Sequence, residues 1–295
     1  MQKIDFETGS QLLALCSEQN SSIAELMQLR EEYLSERPRA ALREEMAKNL
    51  GVMQESIAKG LSGQSRSISG LSGGDGAKLR EYSLLSPFLG QDAAAAVASA
   101  MAVVEVNASM GRIVAAPTAG ASGILPGVLL GFAGREGWEE EQLLDALFVA
   151  GAVGMLIALR ATIAGADGGC QAETGTGAAM AAAALTFLKG GTPEMSLDAA
   201  AMALKNVMGL VCDPVAGLVE CPCIKRNALG AANAMLCADL ALCGVTSLIP
   251  FDEVVSAMGS VGRAMAPELK ETALGGVAAT ATGKAVAQRV KRLQR

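Results

Sequence analysis

Histidine is absent from all 295 residues of this chain. The usual general base at neutral pH is therefore missing, and any acid–base chemistry must use other side chains or another molecule. Aromatic residues are scarce, at 3 %, while alanine and glycine are abundant, so the core has to close through small side chains and close helix contacts. Long basic tracts are lacking too. With a formal net charge of −6 and no clustered Lys and Arg, the chain has no groove suited to nucleic acid, and small soluble partners are expected. No apolar leader follows a basic start, and seven cysteines make an odd count. Both argue against a secreted disulfide framework and for a reducing cytoplasm. The most apolar run, residues 146–159, is closed by Arg160 and falls short of the roughly 20 residues that span a bilayer, so it reads as a buried helix with no membrane role. No strand signal is strong enough to place a sheet.

What remains is helical periodicity. Residues 1–60 are polar and charged, with Ile23, Leu26, Met27 and Leu34, then Leu42, Met46 and Leu50, recurring at helical spacing. They predict two amphipathic helices packed on the core, their charged faces solvated. Between residues 60 and 76 the composition changes to Gly and Ser, which predicts a long loop; the order of a phosphate-cradling P-loop is not there. Residues 61–295 read as the catalytic helical domain, continuous with the first sixty. Helices are expected at 91–113, from 124, at 139–159, 178–188, 196–210, 227–242 and 252–265, with the basic segment 284–295 fraying. The fold class is mainly α: a compact bundle of buried, Ala/Gly-rich helices with the chemistry carried on loops at helix ends.

Three cysteines stand out from that background. Cys170 closes a Gly-Ala-Asp-Gly-Gly turn, Cys212 opens Cys-Asp-Pro-Val-Ala-Gly, and Cys223 ends Glu-Cys-Pro-Cys. Gly and Pro break helices, so these thiols are expected to project from helix ends into a shared pocket. Their spacings are far longer than the Cys-x-x-Cys pairing of a zinc ribbon or ferredoxin. Spacing alone leaves two readings: buried free thiols, or three thiolate ligands of a [4Fe–4S] cluster with one iron free of protein sulfur.

A second motif, residues 117–126, places Thr118, Gly120, Ala121, Ser122 and Gly123 just before an apolar helix. A Gly-rich turn entering a helix presents N–H groups and a positive dipole end, which suits a substrate carboxylate, or it is an ordinary capped helix. Within the apolar stretch before it, Glu105, Asn107 and Arg112 must pair internally or face a ligand, and Asn107 is the catalytic candidate because it lies close to the motif. Lys78, Tyr82, Lys225, Asp167, Glu173 and Asp213 are the local base candidates, each needing a shifted pKa.

The blocks Ala116-Pro117-Thr118-Ala119-Gly120-Ala121-Ser122-Gly123-Ile124-Leu125-Pro126, Gly169-Cys170-Gln171-Ala172-Glu173-Thr174-Gly175 and Cys212 to Cys223 occur in order. Together they resemble the iron–sulfur L-serine dehydratases, in particular the alpha chain of the two-subunit form. The resemblance implies that Cys170, Cys212 and Cys223 hold a [4Fe–4S] cluster, with Cys221 a neighbour, and that L-serine is converted to pyruvate and ammonia. It extends through Gly73-Gly74-Asp75 and Lys78, which makes the Gly/Ser loop part of the site and Lys78 a catalytic candidate. It also implies a hetero-oligomer in which a beta subunit brings a Ser- and His-containing loop, so the general base is expected from that partner chain. One departure is clear: single-chain relatives end in a cysteine-bearing tail, whereas this chain ends Lys291-Arg292-Leu293-Gln294-Arg295. Cys16, Cys237 and Cys243 are then expected to be buried thiols. The rival readings are an iron–sulfur L-cysteine desulfidase and a non-catalytic, zinc-stabilised helical scaffold. A pyridoxal-phosphate dehydratase is disfavoured, because nothing predicts its α/β fold.

Overall fold

Small side chains decide how closely the helices of this protein approach. The computed structural model describes residues 4–293; 71 % of the chain is helical, and no strand forms among the described residues. Thirteen helices follow one another: α1 Gly9–Gln19, α2 Ile23–Ser35, α3 Arg39–Leu61, α4 Asp75–Ser83, α5 Gln91–Ala108, α6 Ile124–Glu136, α7 Glu140–Arg160, α8 Gly165–Gly168, α9 Thr176–Leu188, α10 Pro193–Asn206, α11 Cys223–Leu242, α12 Phe251–Ala264 and α13 Ala281–Leu293. The central one is α9, buried from Thr176 to Thr186 and enclosed by α6, α7, α10 and α11. A buried Ala methyl is worth only about 0.8 kcal/mol, so such a core gains its stability from many tight contacts and not from a few large anchors.

Helix α5 shows how tight those contacts are. A Cβ added at Gly127 of α6 would lie 2.7 Å from Ala100, one at Gly131 2.8 Å from Ala96, and one at Gly60 of α3 2.3 Å from the Ala102 carbonyl. Two helices, α3 and α6, therefore meet α5 backbone to backbone. Its buried Glu105 is satisfied there, accepting the Asp75 and Gly76 N–H groups at 2.7 and 3.3 Å and so capping the start of α4. Phe6, Leu12, Ile23 and Leu26 of the N-terminal segment join the same buried cluster as α9, and Gly9 N–H ties α1 to Asp252 of α12 at 2.7 Å.

Several boundaries differ from the sequence reading. The first sixty residues form three helices, because Thr8 caps α1, a short helix whose buried face is little more than Leu12 and Cys16. Helix α5 stops at Ala108, not 113: Met110 takes φ +58° and Gly111 N–H bonds back to the Val106 carbonyl. Helix α10 ends at Asn206, so a loop and not a helix leads to Cys212, and α11 begins at Cys223 itself. The C-terminal segment is helical through Leu293 and does not fray there; Gln294 and Arg295 lie outside the described residues. Helix α7, at 21 residues, is long and apolar enough by length and composition to cross a membrane, but 67 % of its apolar window is buried in the fold.

Candidate active site

Between α7 and α11 the chain leaves regular helix repeatedly, and the departures after α8 and after α10 deliver the candidate sulfurs. After α8, Gly169 takes φ +76°, and a Cβ there would meet Met265 Sδ at 2.7 Å, so only glycine allows the chain to turn into Cys170. A single π-helical turn, Gln171–Gly175, then carries Cys170 into α9. Gln171 is fully buried and fixes this turn from three sides: its Nε2 donates to the Gly168 and Met258 carbonyls, at 2.9 and 3.2 Å, and its Oε1 accepts from Gly209 N–H at 2.8 Å. Cys212 is held by the C-terminal segment, donating its N–H to Leu269 O at 2.8 Å and accepting from Glu271 N–H at 2.7 Å. Cys223 opens α11 after a cis Cys221–Pro222 peptide. There the buried Asn227 joins two motifs: Nδ2 donates to the Gly120 and Cys223 carbonyls at 2.7 and 3.0 Å, while Oδ1 accepts from Gly123 N–H at 3.1 Å.

The three sulfurs thus come from distant segments and act on one another. Cys170 and Cys212 are close enough to titrate as a pair: the neighbouring Cys212 thiol draws the Cys170 pKa down, and the Cys170 thiolate pushes that of Cys212 up. Burial, then the charges of Cys170 and Glu173, push Cys223 up to about 12. Arg226 faces Cys170 and also pairs with Asp213 at 2.8 Å. Burial works against its charge, but Cys170 and Asp213 outweigh that and raise it above its ordinary value. One cation cannot neutralise three thiolates, so the site calls for further positive charge. Metal ions supply such charge and deprotonate coordinating thiols outright.

The donor set fits an iron–sulfur group on a second count. A Cβ at Gly165 would fall 2.6 Å from Glu173 Oε2 and 3.0 Å from Cys212 Sγ, so the absence of a side chain keeps the space beside that sulfur open. Among the described residues no three Cys, Asp or Glu side chains, Cys170, Cys212 and Cys223 included, converge closely enough to hold a single metal ion. All seven cysteines are free. Cys221 is exposed beside the half-buried Cys223, Cys16 and Cys237 are buried, and Cys243, expected to be buried, is exposed at the end of α11 where the chain turns outward.

The other predicted residues fall into two groups. Thr118 and Gly120 border Glu173: a Cβ at Gly120 would lie 3.4 Å from Glu173 Oε1, and the buried Thr118 hydroxyl, close enough to restrain that carboxyl, finds no well-aligned hydrogen-bond partner. Ala121, Ser122 and Gly123 face inward. Ser122 is fully buried and donates to the Ala119 carbonyl at 2.8 Å, and Gly123 abuts the Ala100 carbonyl of α5. Lys78 is largely exposed, 3.0 Å from Asp75, which Lys225 also contacts at 2.8 Å; Asn107 is half-buried near the end of α5. Of the base candidates, Tyr82 is exposed and Asp213 is committed to Arg226, whereas Glu173 lies among the thiols. Burial, together with the charges of Cys170 and Glu271 and against the influence of Thr118, raises the Glu173 pKa to about 7. Gln171, Arg226 and Asn227 were not singled out in the sequence; each sits within four residues of a candidate cysteine, and that proximity was the only signal.

Most of the chain matches one known family. The family model for the serine dehydratase alpha chain matches residues 18–278. The chain is 46 % identical over 290 residues, 97 % of its length and 95 % of the relative's, to the probable L-serine dehydratase alpha chain of Bacillus subtilis. Identity is 43 % over 284 residues to the L-serine dehydratase alpha chain of Peptoniphilus asaccharolyticus, covering 95 % and 96 % of the two chains. The L-serine dehydratase of Helicobacter pylori is 36 % identical over 289 residues, which are 94 % of this chain but 62 % of that longer protein. With the match running from α1 to the segment that holds Cys212, the chain belongs to the serine dehydratase alpha chain family.

Proposed function

We propose that this chain is the cluster-bearing subunit of an L-serine dehydratase of the reducing cytoplasm, with Cys170, Cys212 and Cys223 as ligands of a [4Fe–4S] cluster. The observation that carries the reading is the meeting of three free thiols from separate segments with the Thr118–Gly120 turn and Glu173. In the reaction serine loses water to give an enamine, which tautomerises and hydrolyses to pyruvate and ammonia. The α-proton is poorly acidic and hydroxide is a poor leaving group, so both departures need help. When bound, the cluster supplies Lewis acidity for the second.

The chain's own residues do the rest. The turn from Thr118 to Gly123 receives the substrate carboxylate, with Thr118 and Gly120 towards the substrate and Ala121, Ser122 and Gly123 anchoring the turn to α5 and α11. Asn227 and Gln171 hold that turn and the cysteine loops in register, and Arg226 balances the sulfur charge. Lys78 and Asn107, the two catalytic candidates of this chain, stand on the α4–α5 side. The α-proton goes to a base on a beta subunit, in keeping with the name alpha chain carried by the matched relatives and with the greater length of the Helicobacter protein.

The experiment is anaerobic co-expression with a beta chain, iron–sulfur reconstitution, and measurement of pyruvate released from serine, threonine and cysteine. Serine should be preferred, the chain alone should be nearly inactive, and Cys170→Ser, Cys212→Ser and Cys223→Ser should each lose the cluster's visible absorption. Each should also lower activity by about 100-fold or more, since losing a group that merely orients a metal ligand already costs about 10- to 100-fold. Full activity in an iron-free, air-exposed sample would overturn the reading, and preferred release of sulfide from cysteine would favour the desulfidase class.

A further inference from the structure

Glu173 is a carboxylate beside Cys212 that no Lys or Arg pairs with among the described residues. Its two oxygens reach from the Gly120 turn to the Gly165 turn: Cβ positions at those glycines would lie 3.4 Å from Oε1 and 2.6 Å from Oε2. Oε2 is also 4.0 Å from Cys212 Sγ. Arg226, the cation that faces Cys170, is spent on Cys170 and Asp213. Buried carboxylates without a partner are costly, and their retention calls for a counter-charge. The glycines on either side keep the approach to the carboxylate clear, and the Thr118 hydroxyl beside it makes no well-aligned hydrogen bond.

We propose that Glu173 is a specificity-determining residue, accepting a charge-assisted hydrogen bond from the α-ammonium group of the amino-acid substrate. This deepens the proposed function and rests on it. A substrate whose carboxylate lies on the Thr118–Gly120 turn has its ammonium one carbon away, on the side where Glu173 borders Gly120. The substrate then brings the cation that the pocket lacks, and a hydroxy acid of the same shape does not. Discrimination between amine and hydroxyl is thereby placed on one side chain, separate from the groups that act on the leaving oxygen.

The test compares L-serine with glyceric acid, its isostere bearing hydroxyl in place of ammonium, on the reconstituted complex. Wild type, Glu173→Gln and Glu173→Asp are each measured by ligand-induced thermal shift and calorimetric binding, and by KM and kcat for serine. The wild type should prefer serine over glycerate by about 10- to 100-fold, the range of a charge-assisted hydrogen bond, and Glu173→Gln should lose most of that ratio by a rise in serine KM. Glycerate binding should be nearly unchanged. A preference that survives in Glu173→Gln, or a fall in kcat with the ratio intact, overturns the proposal. If Glu173→Gln fails to fold or to load iron, Glu173→Asp, which keeps the charge on a shorter arm, decides by the same ratio: a reduced ratio supports the assignment and an unchanged one refutes it. A wild type that releases no pyruvate yet prefers serine would count against the dehydratase reading alone, because the binding ratio is measured without turnover.

Discussion

The helix core around α5, α6 and α9 and the loop-built site between residues 161 and 227 are held together by different forces. In the core, glycine faces alanine and backbones touch: Gly127 against Ala100, Gly131 against Ala96, Gly60 against Ala102. Such contacts are local in kind and additive, and the cost of an error is steric. In the site, single polar side chains each serve two or three segments. Gln171 binds the turn before Cys170 to α12 and to the loop before Cys212, and Asn227 binds the Gly120 turn to Cys223. Loss of one such amide leaves several buried backbone groups unsatisfied together. The core is robust because its work is spread over many residues; the site is exact in position but depends on few.

The sharpest way to break that contrast is at Arg226. Its guanidinium is 14 % exposed and its partner Asp213 is 3 % exposed, and Asp213 Oδ2 also accepts the Val277 N–H at 2.7 Å from the C-terminal segment. Arg226→Met should leave Asp213 as an uncompensated buried charge and lower stability by about 3–5 kcal/mol, measured by chemical denaturation. The double variant Arg226→Met/Asp213→Asn should recover much of that stability without recovering activity, since the charge opposite Cys170 is still missing. Recovery of both would mean that Arg226 serves the fold alone.

Gly127→Ala and Asn227→Ala sharpen the same comparison from its two sides. The first inserts a methyl 2.7 Å from Ala100 and should cost about 1–3 kcal/mol of stability with kcat of the folded enzyme unchanged. The second should cost a similar amount, about 1–3 kcal/mol. It should in addition reduce cluster loading and activity by about 10- to 100-fold, because the turn at Gly120 and the carbonyl of Cys223 lose their common donor. Equal effects on activity would erase the distinction between core and site.

The two regions were also unequally legible in the sequence. Alanine-rich runs and their periodicity announced the buried helices, and α9 sits where its unbroken small residues placed it. Glycine and proline announced the loops that carry Cys170, Cys212 and Cys223. Helix ends were less readable, as at α5, because a left-handed Met110 and one backbone hydrogen bond from Gly111 decided them. Gln171 and Asn227 were invisible for a plainer reason: their roles exist only once residues more than 80 positions apart, such as Gln171 and Met258 or Asn227 and Gly120, have met, and Arg226 finds Asp213 only once the loop between them has folded back. Nor does the sequence show that Glu105, a polar interruption in an apolar helix, caps α4.

The smallest expected effect lies at the rim, where the forces of both regions fade into solvent. Asp75 is held below the usual carboxylate range by hydrogen bonds from Lys225 and then Lys78, with burial opposing. A depressed folded-state pKa contributes stability that is present above the unfolded value, near 3.9, and is lost as pH falls through the folded one. The side chains of Asp75, Lys225 and Lys78 are 33 %, 62 % and 76 % exposed, so solvent screens most of this and the contribution should stay below about 1 kcal/mol. Asp75→Asn should therefore change stability at neutral pH only slightly, and the difference from wild type should shrink further below about pH 3.9 and in high salt. A much larger loss, or one insensitive to salt, would show that Asp75 orients Lys225 beside Cys223 as part of the site and does not merely decorate its edge.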